Sequence, residues 1–221
     1  VKKNIQMQNV NKSLSNKFTK YMKRYRNLYI SLAKKTKKNI RNFEKKSIIV
    51  DLSLGPGLLS KELNNQITNA MIIGLDPSQN MINIAKEELS ECKNCNIVLS
   101  SAEQIPIQDS IVDIIVSRFG ISSWRDVKKG ISEIKRILKP NGTLILEFLN
   151  KDFPNWKILI MKIKMYIKGA GRELINYNVD CYKTAYSSVN IEKFLKEFGF
   201  KIIEKKGKSG DWKYLIIASK I

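Results

Sequence analysis

Three short loops carry the side chains best suited to chemistry. The first is Asp51-Leu52-Ser53-Leu54-Gly55-Pro56-Gly57. Gly55 and Gly57 allow a tight turn and let a ligand approach the backbone, with the next helix starting directly behind them. The second ends in Asp76, within Ile73-Gly74-Leu75-Asp76-Pro77-Ser78. A carboxylate at the end of a strand can accept both hydrogen bonds from a ribose diol. The third, Ser100-Ser101-Ala102-Glu103-Gln104-Ile105-Pro106, follows another strand, where an adenine ring would lie. A lone Gly-x-Gly says little; it gains force from Asp76 one strand later.

Some chemistries are excluded by composition. The chain of 221 residues has no histidine, so it holds neither a Ser-His-Asp nor a Cys-His nucleophile system and no imidazole metal ligand. Cys92-x-x-Cys95 is half of a zinc pattern, but only Cys181 remains to complete it, so no metal is expected. The two cysteines read as small residues closing a helix in a reduced, intracellular protein. No run approaches the ~18 apolar residues of a membrane-spanning helix. The start, Val1-Lys2-Lys3-Asn4-Ile5-Gln6, shows no apolar signal region, and a cytoplasmic location is expected.

Strand–loop–helix alternation positions the three loops. Strands are expected at Ser47–Leu52, Met71–Leu75, Asn96–Leu99, Ile111–Ser117, Thr143–Phe148, Lys201–Lys205 and Trp212–Ala218. Helices are expected at Leu58–Gln66, Ser78–Glu91, Asp126–Leu138 and Asn190–Phe198, with Lys139-Pro140-Asn141-Gly142 stopping the third. Such alternation with continuous apolar strands means an α/β fold, a doubly wound and mostly parallel seven-stranded sheet of Rossmann-like type. The last two strands lack a helix between them and should form a C-terminal antiparallel hairpin. Ligands of such sheets sit at the carboxyl ends of the strands.

The charge is concentrated ahead of this pattern. Forty Lys+Arg against twenty Asp+Glu leave +20, and residues 1–47 alone hold fifteen basic residues against Glu44. Phe18, Tyr21, Met22, Tyr25, Leu28, Tyr29 and Leu32 recur there at helical steps. Residues 1–46 therefore read as a basic helical N-terminal extension covering the site, and residues 47–221 as the main domain. Within that domain residues 152–189 form a lid or substrate insertion. Its segment Trp156–Lys168 is apolar around most of a helix, with Lys157, Lys164 and Lys168 within about 40° of one another. Basic residues beside broad apolar faces suit an anionic membrane surface, reached as a peripheral protein at the inner face. The alternative is a buried lid helix whose lysines reach out to water.

The loops and their order resemble the class I S-adenosylmethionine-dependent methyltransferases. The resemblance runs from about Ser47 to Phe148. Asp51–Gly57 is similar to that family's Asp-x-Gly-x-Gly-x-Gly motif, and Gly74-Leu75-Asp76-Pro77-Ser78 followed by Asn80-Met81 is similar to its second motif. Ile134–Gly142 resembles the helix and turn before its fifth strand. Within the superfamily, Phe119-Gly120-Ile121-Ser122-Ser123-Trp124-Arg125-Asp126, Leu146-Glu147-Phe148 and Ala185-Tyr186-Ser187-Ser188 resemble segments of the ubiquinone/menaquinone C-methyltransferases. The chain departs at Ser122-Ser123, where that group has Arg-Asn, at Ser53, where the motif has its first glycine, and at Ser101, where an Asp is usual.

The resemblance implies S-adenosylmethionine as cofactor, S-adenosylhomocysteine as product, and a role for each matching residue. Asp51, Ser53, Gly55 and Gly57 should shape the loop under the methionine moiety. Asp76 should bind the ribose hydroxyls, with Pro77 and Met81 covering the adenine. Ser101 and Ala102 should meet the adenine edge, and Arg118 and Phe119 should border the methyl group. Tyr25, Asp126 and Glu147 are the candidate bases for an acceptor proton. The expected acceptor is a small molecule or lipid, methylated on carbon or oxygen as quinols and aromatics are. The basic arm keeps open a tRNA or rRNA acceptor, and Ser53 a non-catalytic S-adenosylmethionine-binding subunit. The oligomeric state is left open.

Overall fold

The computed structural model describes residues 11–40 and 45–221. Lys2, Lys3, Arg41 and Glu44 of the basic arm lie outside them. Seven strands form one sheet: β1 (Ser47–Leu52), β2 (Ala70–Asp76), β3 (Cys95–Leu99), β4 (Val112–Arg118), β5 (Leu138–Leu149), β6 (Phe200–Lys206) and β7 (Lys213–Lys220). Their order is β3-β2-β1-β4-β5-β7-β6. All neighbours pair in parallel except those of β7, which runs antiparallel to both β5 and β6. The terminal hairpin lies at one edge of the sheet as expected, with its second strand against β5 and its first strand outermost. The chain moves outward from β1 to β3 and then crosses to β4, so the switch point lies between β1 and β4.

Alternation along each strand explains why both faces are covered. Val50 and Leu52 of β1 point to one face, where Ile131, Ile134 and Ile137 of α5 (Val127–Ile137) and Ile191 and Leu195 of α8 (Ser188–Glu197) bury them. Ile49 points to the other face, against Leu59 and Leu63 of α3 (Leu58–Gln66). Tyr29, Leu32 and Ala33 of α2 (Arg26–Lys38) join that second cluster, so this N-terminal helix shares a core with β1, α3 and β4. The helix before it, α1 (Lys12–Lys23), packs Leu14, Phe18 and Tyr21 instead against α6 (Asn155–Ile167) and α7 (Arg172–Thr184).

Three local expectations change. The fifth strand starts at Leu138, paired with Val112, and the Lys139–Gly142 turn is taken up as an irregularity in it, with Asn141 at φ 63°. Cys92 and Cys95 are joined by a disulfide rather than left as free small residues. The turn after α4 (Gln79–Glu88) brings their Cα atoms to 5.4 Å, within disulfide range. The Trp156–Lys168 segment is a helix, but not a buried one: of its side chains only Met165 is buried. No helix of the described residues is long and apolar enough to cross a membrane.

Candidate active site

Every strand of the parallel half ends at one cavity of about 640 Å³, a volume usual for small-molecule sites. Its first wall is backbone. After β1 the chain turns through Ser53 (φ 71°), Gly55 (φ 55°) and Gly57 (φ 80°) into α3. The N–H groups of Ser53 and Leu54 both donate to the Leu75 carbonyl at 2.9 Å, which ties the loop to β2. Asp76 completes the tie: its carboxylate accepts from Gly55 N at 2.8 Å and from Ser78 N at 2.9 Å. Asp51 accepts from the Ser60 hydroxyl at 2.7 Å.

Both carboxylates are buried, and burial pushes them up: Asp51 to about 7 and Asp76 to about 6. The hydrogen bond from Ser60 opposes the shift of Asp51, while the neighbouring Asp76 charge adds to it. The N–H groups of Ser78 and Gly55 oppose the shift of Asp76.

Ser53 occupies a left-handed conformation that favours glycine. Two contacts hold it there. Trp124 Nε1 donates to its hydroxyl at 3.1 Å, and Gly120 leaves it room, since a Cβ on Gly120 would stand 2.2 Å from Ser53 Oγ. The serine in place of the motif's first glycine is thus accommodated by a glycine across the crevice.

The end of β4 is a buried cationic post. The Arg118 guanidinium lies over the rings of Tyr29 (4.7 Å) and Phe119 (4.5 Å) and pairs with Glu147. Glu147 also pairs with Lys213. Arg118 Nε and Nη2 are buried with no hydrogen-bond partner among the described residues. Phe119 itself is left-handed (φ 58°) and packs on Trp212 at 5.5 Å. Two non-glycine residues held at positive φ therefore flank the crevice, a strain typical of functional sites.

The second wall is helical and aromatic. Phe18, Tyr21 and Tyr25 come from α1 and the junction to α2, Met161 and Met165 from α6, Tyr177 and Tyr182 from α7, and Phe153 from the loop after β5. Phe153 stacks on Tyr182 at 5.3 Å, and Phe18 meets Tyr177 edge-on at 6.0 Å. Among the polar groups on this wall is the Tyr25 hydroxyl, 3.0 Å from Tyr21 Oη and accepting from Lys168 Nζ at 3.2 Å. Burial pushes Tyr25 up, but the hydrogen bonds from Tyr21 and Lys168 and the charges of Lys168 and Arg24 outweigh it and hold it below the usual tyrosine value. Arg24 also donates to the Lys168 carbonyl, latching the two segments together.

Most of the expected site residues meet here. Tyr25, Asp51, Ser53, Gly55, Asp76, Pro77, Ser101, Ala102, Arg118 and Phe119 all line the cavity. Four do not. Met81 is buried in the first turn of α4 and does not line the cavity. Gly57 caps α3 and faces α4, where a Cβ would meet Leu89 at 3.1 Å. Asp126 is the N-cap of α5, accepting from Lys129 N at 3.1 Å, and is exposed there. Glu147 is held between Arg118 and Lys213, behind the cavity wall. The lid aromatics Phe153, Tyr177 and Tyr182, and Trp212 just before β7, are not among the residues the sequence singles out for the site. Leu174, Asn178, Cys181 and Tyr182 fall at i, i+4, i+7 and i+8, a signal for α7 and its inner face.

The chain is similar to known proteins. The methyltransferase domain family matches residues 50–146. A ubiquinone/menaquinone biosynthesis C-methyltransferase of Rickettsia bellii is 31% identical, the match covering 74% of this chain and 72% of that one. A demethylmenaquinone methyltransferase of Thermotoga maritima is 28% identical, over 70% of each. Among solved structures, a Methanococcus maripaludis protein provisionally assigned as an S-adenosyl-L-methionine-dependent methyltransferase is 27% identical. It covers 95% of this chain and 93% of its own, with a TM-score of 0.70.

Proposed function

We infer the acceptor from one premise: this chain belongs to the class I S-adenosylmethionine-dependent methyltransferases, in the family of the ubiquinone/menaquinone C-methyltransferases. The proposed reaction is transfer of a methyl group to a ring carbon of a hydroquinone-like acceptor, with loss of the ring proton. The observation that carries it is the second wall, a largely aromatic and thioether surface on which the Tyr25 hydroxyl, bonded to Lys168, is exposed to the cavity. Flat aromatic acceptors suit such a surface, and Tyr25 suits their hydroxyl.

The first wall fits the cofactor. Gly55 faces open space, where a Cβ would meet nothing within 4 Å. The Asp76 carboxylate lies on the cavity with one backbone N–H on each oxygen, which leaves lone pairs for two ribose hydroxyls. We assign Asp51 and Gly55 to the methionine end, Asp76 to the ribose, and Pro77, Ser101 and Ala102 to the adenine. S-adenosylmethionine, when bound, supplies a methyl group already activated by its sulfonium. The chain's task is then alignment, which is worth up to about 7–11 kcal/mol.

Tyr25 does the rest. With Lys168 donating to its oxygen, the phenolate forms more readily than that of an ordinary tyrosine and can take the proton of an acceptor hydroxyl. The ionised ring pushes electron density to the carbon beside that oxygen, which would take the methyl group as its bond to sulfur breaks and S-adenosylhomocysteine is released, and the hydrogen on that carbon then leaves to water. Arg118, fixed between two rings and Glu147, keeps a positive charge beside the ionised acceptor.

The test is a methyl-transfer assay with labelled S-adenosylmethionine and short-chain demethylmenaquinol, beside catechol and transfer RNA. The expected product carries the label on a ring carbon. Label on oxygen, or on RNA alone, overturns this acceptor.

A further inference from the structure

We propose that α6 seats this protein on an anionic lipid surface, with its apolar stripe lying in the bilayer interface. Trp156, Leu159, Ile160, Ile163, Tyr166 and Ile167 are between 41% and 76% exposed. At 100° per residue they share an arc of about 120°, a stripe about 20 Å long on a helix of thirteen residues. Large apolar side chains gathered in one exposed patch mark an interaction surface, whereas scattered ones do not.

Charge identifies the occupant. Lys157, Lys164 and Lys168 fall on one flank of the stripe and Lys162 on the other, while α6 holds no acidic residue. Met161 and Met165 project from the opposite side into the cavity. Arg24 joins the cationic flank through its bond to the Lys168 carbonyl. A second copy of the chain would bring the same lysines against these, and with +20 on each chain the repulsion is general. A surface of anionic headgroups over hydrocarbon matches both the stripe and its flanks. The same helix forms part of the cavity wall, so docking would bring the cavity beside the lipid.

This inference goes beyond the choice of acceptor and does not depend on it, because the test contains none. The full chain is floated with phosphatidylglycerol–phosphatidylcholine vesicles and with phosphatidylcholine vesicles. Binding to the anionic vesicles is expected, weakened at high salt. Trp156 emission should shift to the blue, and the Trp156→Phe variant should lose that shift.

Ile163→Asp combined with Ile167→Asp should lower binding roughly tenfold or more. S-adenosylmethionine titration of this variant should match the parent, which shows that it folds. No flotation on anionic vesicles overturns the proposal, as does flotation that the double variant leaves unchanged. A concentration-dependent dimer that the same changes dissolve would assign the stripe to a second copy instead.

Discussion

The two walls of the cavity are built by different means. On the strand side, positions are set by main-chain bonds: Ser53, Leu54, Gly55 and Ser78 all donate to Leu75 or to the Asp76 carboxylate. On the helical side, rings touch rings, and the segments are joined by Arg24 to the Lys168 carbonyl, Lys168 to Tyr25, and Lys17 to Glu173. The first wall can hardly be altered without rebuilding the turn. The second can change ring by ring while α1, α6 and α7 keep their places. A fold with one fixed and one replaceable wall can keep its donor and change its acceptor.

The sharpest separation of the walls is Tyr25→Phe. Removing the hydroxyl should lower kcat roughly 10²- to 10⁴-fold, the range of a lost general base, while S-adenosylmethionine affinity stays at the parent value. Steady-state rates beside calorimetry check both halves of the statement. The rate should rise with pH through a value below the ordinary tyrosine range, because the phenolate is the active form. Lys168→Met should move that rise to higher pH. An affinity loss in Tyr25→Phe equal to its rate loss would mean that the walls do not divide the work.

The converse variant is Asp76→Asn, which keeps the shape and removes the charge. Loss of charge-assisted hydrogen bonds should weaken S-adenosylmethionine roughly 10- to 100-fold, measured by calorimetry. A smaller effect comes from pH alone. Asp51 and Asp76 are raised to about 7 and about 6, so both bind protons more tightly folded than unfolded. Their contribution to stability is complete below the ordinary carboxylate value and is lost as pH rises through 6 and 7. A ligand bearing an ammonium group favours the ionised forms, so its affinity should rise over the same interval. Thermal unfolding at pH 5 and pH 8 should show a larger ligand-induced Tm increase at pH 8.

The strand wall was legible in the sequence because its chemistry is tied to position. Asp51, Gly55 and Asp76 stand at strand ends, and strand ends can be read from apolar runs and turn residues. The helical wall was only half legible. Tyr25 was found on an amphipathic stretch, but nothing in that stretch indicates Lys168, 143 positions later, as its donor. Asp126 and Glu147 looked available as bases, yet a cap and a pair of cations occupy them. Met81 lies off the cavity for a related reason, since helical periodicity puts it on the inner face of α4 without saying what covers that face. The apolar α6 was seen, but its outer exposure depends on partners that periodicity does not name.

The finest test of the strand wall concerns the serine that stands where the motif has glycine. Ser53→Gly relieves a left-handed side chain and loses the bond from Trp124, and these effects nearly cancel, leaving stability within about 1 kcal/mol of the parent. Gly120→Ala alone drives a methyl group into Ser53 and should destabilise by about 1–3 kcal/mol. In the Ser53→Gly background the two closest contacts vanish, so the same alanine should be tolerated better, with a coupling of about 1 kcal/mol by denaturant titration. Gly120 is at φ −71°, which any residue adopts, so the glycine serves space and not backbone conformation. Additive effects of the two changes would mean that the loop yields more than its hydrogen bonds suggest, and the strand wall would then be no more fixed than the helical one.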